Sequence, residues 1–441
     1  MSSTRARAPW VGLTVALVLV ALAFAVPPLT GWEVWSRAPR SVVPHEVPPL
    51  HGWWDPKLLR PGTVPAVLLG LLGWWYGPRL AERLSWGRLL ATSYAVGLAW
   101  LLSLALVDGP DGLSRAIGSD YEYLPAARDV TDVHALLQAY VDRIPLDSAH
   151  AWPTHPAGHP PGALLFFVLL VRLGLGNAVV AGVVVTVVAA SIALAVLVTV
   201  RALGAEDAAR RAAPFLVLTP AAVFLAVSAD AVFAAVAAWG LACLALAATS
   251  RGARLVAWSV LAGLLLGWTV MSSYGLPLLG LVALAVLVLA RSWWPLPIAA
   301  LTALAVVLAF AAGGFAWWEA FPVLRERYWD GIAADRPGAY WTWANLAALV
   351  VCAGPLLGAA VAMLRRGSDR VVLWLAGSAA ACIVLADLSQ MSRAEVERIW
   401  LPFVSWLLLT TALLPERWRR WGLLVQVVWA LLVQQLLYTS W

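Results

Sequence analysis

Residues 163–175 read ALLFFVLLVRLGL, an apolar run broken only by Arg172 and a glycine. A helix rises about 1.5 Å per residue and the hydrocarbon core of a bilayer is about 30 Å thick, so a crossing takes about 20 apolar residues. The run is too short to cross and too apolar for a solvated loop. Whether it crosses or lies flat decides on which side of a membrane every later loop falls.

Composition makes a membrane the right setting. The 441-residue chain is 62% hydrophobic and 12% charged, with a mean hydropathy of +0.81; these values exclude an ordinary soluble domain. Apolar runs of near-spanning length lie at 10–28, 62–77, 89–107, 177–200, 212–228, 231–249, 255–271, 276–290, 296–315, 345–363, 371–387, 398–414 and 422–438. They predict an all-α polytopic bundle of about 13 transmembrane helices. The first run follows Arg5 and Arg7 and has no small-residue cleavage pattern, so it reads as an uncleaved helix with a cytoplasmic N-terminus. Cys243, Cys352 and Cys382 are scattered among apolar runs without ligand spacing and read as small buried hydrophobes. Neither a phosphate-cradling glycine loop nor an HExxH element occurs, and no nucleic-acid partner is expected.

The distribution of basic residues settles the opening question. If 163–175 lies along the outer surface, 17 of the 30 basic residues but only 5 of the 24 acidic ones fall on the cytoplasmic side, as the excess of Lys and Arg in cytoplasmic loops requires. If it crossed, RALGAEDAARR (201–211), SRGAR (250–254), RRGSDR (365–370) and PERWRR (415–420) would all move outside. A horizontal juxtamembrane helix is therefore expected, with polar outer regions at 30–61, 108–176, 316–344 and 388–397. Trp53, Trp54, Trp317, Trp318, Trp341 and Trp343 mark their membrane borders.

The longest outer region holds SDYEYLPAAR at 119–128 and THPAGHPPGAL at 154–164. Carboxylates at a membrane surface are costly unless paired or used, which makes Asp120 and Glu122 candidates. Solvated loop acids are the plain alternative. The neighbours Tyr121 and Tyr123, the downstream His155 and His159, and a Pro160-Pro161-Gly162 turn into the short helix weigh towards use.

DYEYLPAAR and HPPG resemble elements of the GT-C superfamily, the membrane glycosyltransferases that use polyprenyl-phosphate sugars. EVERIWLPF, at 395–403, is similar to that family's Arg-Tyr-x-x-Pro segment, with Ile399 where tyrosine is common. The resemblance spans 88–414 in architecture but only these short motifs in identity. It leaves 1–87 as an N-terminal two-helix addition with an outer loop, and 415–441 as a cytoplasmic turn and a last helix.

The resemblance implies inverting transfer on the extracytoplasmic face, from a polyprenyl-phosphate-linked sugar donor to an envelope glycan, glycolipid or protein acceptor. Asp120 matches the leading acid and becomes the expected general base, with Glu122 in reserve. Arg398 would face the donor phosphate through two parallel hydrogen bonds, with His155 and His159 beside it. Tyr123, Arg128, Arg325, Tyr328, Asp330 and Glu397 complete the expected substrate contacts. The aromatic and charged 316–344 loop suits sugar stacking as well as it suits an interfacial belt. Asp230, in VSADAVF at the outer end of a helix, either caps that helix or helps close the site, the cap being preferred. Some family members use a divalent cation, so Mg or Mn stays open, although no residue here is assigned as a metal ligand. The rival class is a secondary transporter or lipid-linked-sugar flippase, which would gather its charges near the midplane of interrupted helices.

Overall fold

The computed structural model describes residues 3–36, 50, 52–364 and 369–439. Residues 37–49 and 51 of the expected 30–61 outer loop lie outside the described residues, as do 365–368 of RRGSDR.

The fold is all-α. In chain order the α-helices are α1 (Ser3–Thr30), α2 (Thr63–Arg83), α3 (Trp86–Ala105), α4 (Tyr123–Arg128), α5 (Val133–Gln138), α6 (Thr154–Gly158), α7 (Pro161–Arg172), α8 (Ala178–Ala189), α9 (Ile192–Ala202), α10 (Glu206–Val217), α11 (Ala222–Leu225), α12 (Ala229–Ala248), α13 (Gly252–Val270), α14 (Gly280–Ala290), α15 (Pro295–Ala312), α16 (Trp317–Asp330), α17 (Gly338–Ala353), α18 (Leu356–Val361), α19 (Arg370–Leu388), α20 (Val396–Ile399), α21 (Leu401–Leu407) and α22 (Glu416–Leu436). The described strands are two-residue pieces, β1 (Trp53–Trp54) and β2 (Leu437–Tyr438), which pair antiparallel.

Among the described residues, seven helical segments are long and apolar enough to cross a membrane: Arg7–Thr30, Trp86–Asp108, Ala178–Ala202, Ala229–Ala248, Gly252–Val270, Pro295–Ala312 and Arg370–Leu388. The other stretches expected to span are shorter, interrupted or charged at one end. The 345–363 run breaks at Gly354, whose φ of 84° is left-handed, and Pro355 follows it. Backbone groups freed at that break find Gln426 of α22, which donates Nε2–H to the Ala353 carbonyl at 2.6 Å and accepts from the Leu356 amide at 3.3 Å. A side chain in this role lets a broken helix exist away from water.

Helix α7 has 12 residues, a length of about 18 Å, and both of its ends lie at one end of the bundle. At its start, a Cβ on Gly162 would run into the Met271 carbonyl, so only glycine lets α7 abut the end of α13. Gly182 likewise admits the Leu113 carbonyl, which sets the first turns of α8 beside the segment that follows α3. At the other end of α7, Arg172 donates to Thr131 O at 3.3 Å and Arg128 donates twice to Gly176 O, at 3.1 and 2.8 Å. Because α12 and α13 form a hairpin joined at 249–251, the end of α13 and the start of α12 share this level, the loop end of the bundle.

One continuous buried core runs from Ala23 of α1 to Val433 of α22 and includes Ala66 of α2. The terminal helices therefore pack on the same core as the rest. At the loop end, Lys57 donates to Gln434 O at 3.1 Å and Leu437 O at 2.8 Å, and pairs with Asp108 at 2.7 Å, fastening the 52–61 segment to α22 and to the end of α3.

The horizontal α7 expected from the sequence makes a topological statement that can be measured. The native cysteines Cys243, Cys352 and Cys382 are buried and give little labelling background. An impermeant thiol reagent is expected to modify cysteines introduced near His155 and Gly176 in intact cells, but not one at Glu206. Labelling at Glu206 with the membrane intact would contradict the flat helix.

Candidate functional site

Glu122 sits at the N-terminal boundary of α4, with extended backbone. The next residue explains its direction. Tyr123 is fully buried, stacks on Phe167 of α7 at a ring separation of 5.4 Å, and meets Phe233 of α12 edge-on at 6.1 Å. With Tyr123 locked between two helices, Glu122 faces the interior and is only 5% exposed. The histidine segment is tied to the same strip of backbone, because the His155 amide donates to Tyr121 O at 3.0 Å. The Tyr140 hydroxyl then fixes the turn by donating to Pro156 O at 2.8 Å and His159 O at 3.2 Å.

Arg398 arrives from the opposite end of the chain. Its Nη2 lies 2.8 Å from Glu122 Oε1, its Nε pairs with Asp230 Oδ2 of α12, and its Nη1 is 3.3 Å from His155 Nε2. Arg398 and both acids are buried. In low dielectric such charges are tolerated only when they satisfy one another, and removing one partner from a buried ion pair typically costs about 3–5 kcal/mol.

The contact between Arg398 and His155 assigns a tautomer. A guanidinium only donates, so His155 Nε2 must accept from Arg398, and its proton sits on Nδ1. His155 is thus neutral, and its 3.5 Å approach to Glu122 Oε1 is a contact between two acceptors rather than an ion pair. Burial, then the Arg398 charge, holds the His155 pKa well below the usual histidine range. His159, whose Nδ1 lies 2.9 Å from the His155 carbonyl, is also held below it, chiefly by burial. Burial pushes Glu122 up from its ordinary 4.5, outweighing the opposing pull of Arg398. Among the described residues, Glu122 Oε2 and the Tyr123 hydroxyl have no hydrogen-bond partner.

Backbone strain flanks both charged arms. Val227, three residues before Asp230, has φ 59°, and Ala394 and Glu395, shortly before Arg398, have φ 67° and 62°. A left-handed β-branched residue such as Val227 is an outlier that persists only where its surroundings force it, and such outliers gather at functional sites.

The structure thus brings together Glu122, Tyr123, His155, His159 and Arg398, and adds Asp230. Asp120 is two residues away but exposed, as is Tyr121. Arg128 serves as the staple on Gly176. Arg325 and Asp330 are exposed on α16, while the Tyr328 hydroxyl accepts from the Arg393 amide at 2.9 Å. Glu397 is buried beside Arg398 and lines a neighbouring apolar cavity. Asp230 does lie in the first turn of α12, yet its charge is spent sideways on Arg398 rather than on the helix end. The sequence signal for it is an acid inside an otherwise apolar run.

No family model, no curated protein and no solved structure matches the chain. What the cluster can do therefore follows from its chemistry alone. As for a divalent cation, no three His, Cys, Asp or Glu side chains among the described residues are gathered as ligands, and Arg398 already engages both central carboxylates. The donor set does not fit a metal.

The His155 tautomer has a direct readout. In solid-state NMR with ¹⁵N-histidine, His155 is expected as the Nδ1–H neutral form at pH 6, and Arg398→Ala is expected to raise its pKa. A doubly protonated His155 at pH 6 would contradict the assigned hydrogen-bond direction.

Proposed function

We propose that the chain is a membrane glycosyltransferase that moves a sugar from a polyprenyl phosphate to an envelope acceptor at the loop end, which faces the extracytoplasmic side. The interrupted helices complete thirteen crossings in this reading. The observation that carries it is the buried Glu122 carboxylate, with one oxygen on Arg398 and the other without a hydrogen bond among the described residues, beside a neutral histidine. A carboxylate whose proton affinity is raised by burial is suited to general-base work. Glu122, rather than Asp120, is the base in this reading.

The chemistry follows from the shared guanidinium. Asp230 keeps Arg398 charged and in place while the donor's phosphodiester takes over the edge that Glu122 holds. Glu122 turns to the acceptor hydroxyl. As the acceptor oxygen attacks the anomeric carbon, Glu122 takes its proton, the bond from that carbon to the phosphate oxygen breaks, and polyprenyl phosphate leaves with the electron pair, stabilised by Arg398. A planar fork suits this exchange because Nε can stay on Asp230 while Nη2 passes from the Glu122 carboxylate to the phosphate. His155, neutral and fixed by Arg398, keeps the guanidinium in plane.

Purified protein with a synthetic polyprenyl-phosphate sugar and an envelope extract as acceptor provides the test. Glu122→Gln is expected to lower transfer by about 100- to 10,000-fold, the usual worth of a general base, whereas Asp120→Asn changes it by less than about threefold. Because the base must be ionised, wild-type kcat/KM should rise with pH through an apparent pKa above 4.5, and that limb should vanish in Glu122→Gln. Arg398→Lys should raise the KM for donor more than it lowers kcat. Full activity in Glu122→Gln would overturn the assignment. Absence of any transfer, together with proton-linked uptake by proteoliposomes, would return the chain to the transporter class.

A further inference from the structure

At the end of the bundle away from the charged cluster, α2, α10 and α22 converge. Helix α2 starts at the loop end, where the Gly62 amide donates to Leu106 O at 3.1 Å, so its last turn, at Arg83, lies at the far end. Helix α10 presses on it closely. A Cβ on Gly73 would meet the Leu218 side chain at 2.4 Å, and Arg210 donates to Ala81 O at 2.8 Å and Leu84 O at 2.9 Å. Helix α22 closes the third side, with Val427 against Gly70 and the Trp74 indole donating to Arg420 O at 2.9 Å.

Two partly buried arginines meet in this corner, Arg211 of α10 and Arg419 of α22. Burial first, and then the Arg211 charge, draw the Arg419 pKa below the usual arginine range, against the opposing pull of Glu82 and Glu416. Both of those acids are exposed. Among the described residues neither guanidinium has a hydrogen-bond or ion-pair partner, and Arg211 Nε is buried. Arg210, one residue earlier, is by contrast held by Glu206 and two carbonyls. Like charges brought together with a buried donor unpaired oppose folding, and an anion between them removes both costs. The surroundings say where that anion comes from. Trp10, Trp75 and Trp421 are exposed at this end, Trp418 meets Trp10 edge-on at 4.7 Å, and Arg420 lies over Trp75 and Trp421. Tryptophan rings gather at the headgroup level of a bilayer, the depth of the lipid phosphates.

We propose that Arg211 and Arg419 bind the phosphate of an anionic phospholipid, lodged where α2, α10 and α22 meet at the end of the bundle opposite the charged cluster. The phosphodiester oxygens accept from both guanidinium groups, with the Arg211 Nε–H turning to the same phosphate. A phosphatidylcholine carries the same phosphate but adds a quaternary ammonium to a corner that already holds two positive charges, so an anionic headgroup is preferred. The bound lipid joins the three helices, one of which, α22, also supplies Gln426 to the break at Gly354. This site is independent of the transferase reading.

Thermal unfolding of the full-length protein, in lipid-free maltoside detergent and in nanodiscs of phosphatidylcholine with and without phosphatidylglycerol, provides the test. In detergent, Arg211→Gln should unfold no earlier than the wild type, because it removes the like charge beside Arg419. Phosphatidylglycerol should raise the wild-type midpoint. That rise should shrink in Arg211→Gln and vanish when Arg419→Gln is added. In native mass spectrometry, the preference for phosphatidylglycerol over phosphatidylcholine should fall about fivefold for each of the two arginines removed. Arg254→Gln, at an exposed arginine of the same end, should leave the preference unchanged. An equal rise in the wild type and the double variant, or equal retention of the two lipids by the wild type, overturns the proposal. Earlier unfolding of Arg211→Gln in detergent also overturns it, since Arg211 would then be held by the protein itself. Inorganic phosphate that reproduces the full rise in phosphatidylcholine nanodiscs would assign the site to a free anion and overturn the lipid.

Discussion

A single buried guanidinium, held by carboxylates 168 residues and 276 residues away in sequence, organises the loop end of this bundle. Arg398 cannot be left there unpaired, and neither can Glu122 or Asp230. The three segments that carry them must meet, whatever local strain that requires. Left-handed backbone at Val227, Ala394 and Glu395 flanks the two arms that carry Asp230 and Arg398. The aromatic clamp of Tyr123 between Phe167 and Phe233 makes the meeting specific, because it allows only the Glu122 side of the DYEY strip to face inward.

The segments outside this cluster are fastened by hydrogen bonds to backbone rather than by further buried charge pairs alone. Arg336 donates Nε–H to Trp35 O at 2.8 Å and Nη1–H to Arg393 O at 2.6 Å, and pairs with Glu395 at 2.7 Å. It thereby ties the segment after α1 to the residues that present Arg398. Tyr340 and Trp341 donate to Ala23 O and Val34 O, both at 2.7 Å. Helix α1 and the segment after it are thus built into the support of the site.

Much of this is legible in the chain. Composition and run length point to an all-α membrane bundle, and the described residues are helical with seven segments of spanning length; the horizontal placement of 163–175 is an expectation from its shortness and the sorting of basic loops. The link between DYEY and HPAGHPP is readable as a pair of motifs and is realised as the His155 amide on the Tyr121 carbonyl. Which acid of the pair turns inward is not readable. Asp120 and Glu122 differ by two residues in an irregular segment with no helical period to orient them, and the orientation is set by rings 45 and 111 residues further on, Phe167 and Phe233. Asp230 reads first as a cap because a first-turn acid suits a helix N-terminus, with a part in closing the site as the alternative, while its pairing with Arg398 in particular is a long-range fact that local reasoning does not reach. Helix breaks such as the one at Gly354 divide runs that a hydropathy window counts as whole, because Gln426 from another helix satisfies the exposed backbone.

The dependence of the loop end on Arg398 is most directly measured by a double-mutant cycle between Glu122 and Arg398, read as unfolding free energy of the purified protein in mild detergent. Arg398→Gln, which strands Glu122 and Asp230, should destabilise by about 3 kcal/mol or more, and adding Glu122→Gln to it should cost little further, since the second change removes one of the charges that the first left stranded. Losses that simply add would show that the two side chains do not rely on each other, and would contradict a loop end organised by one shared guanidinium.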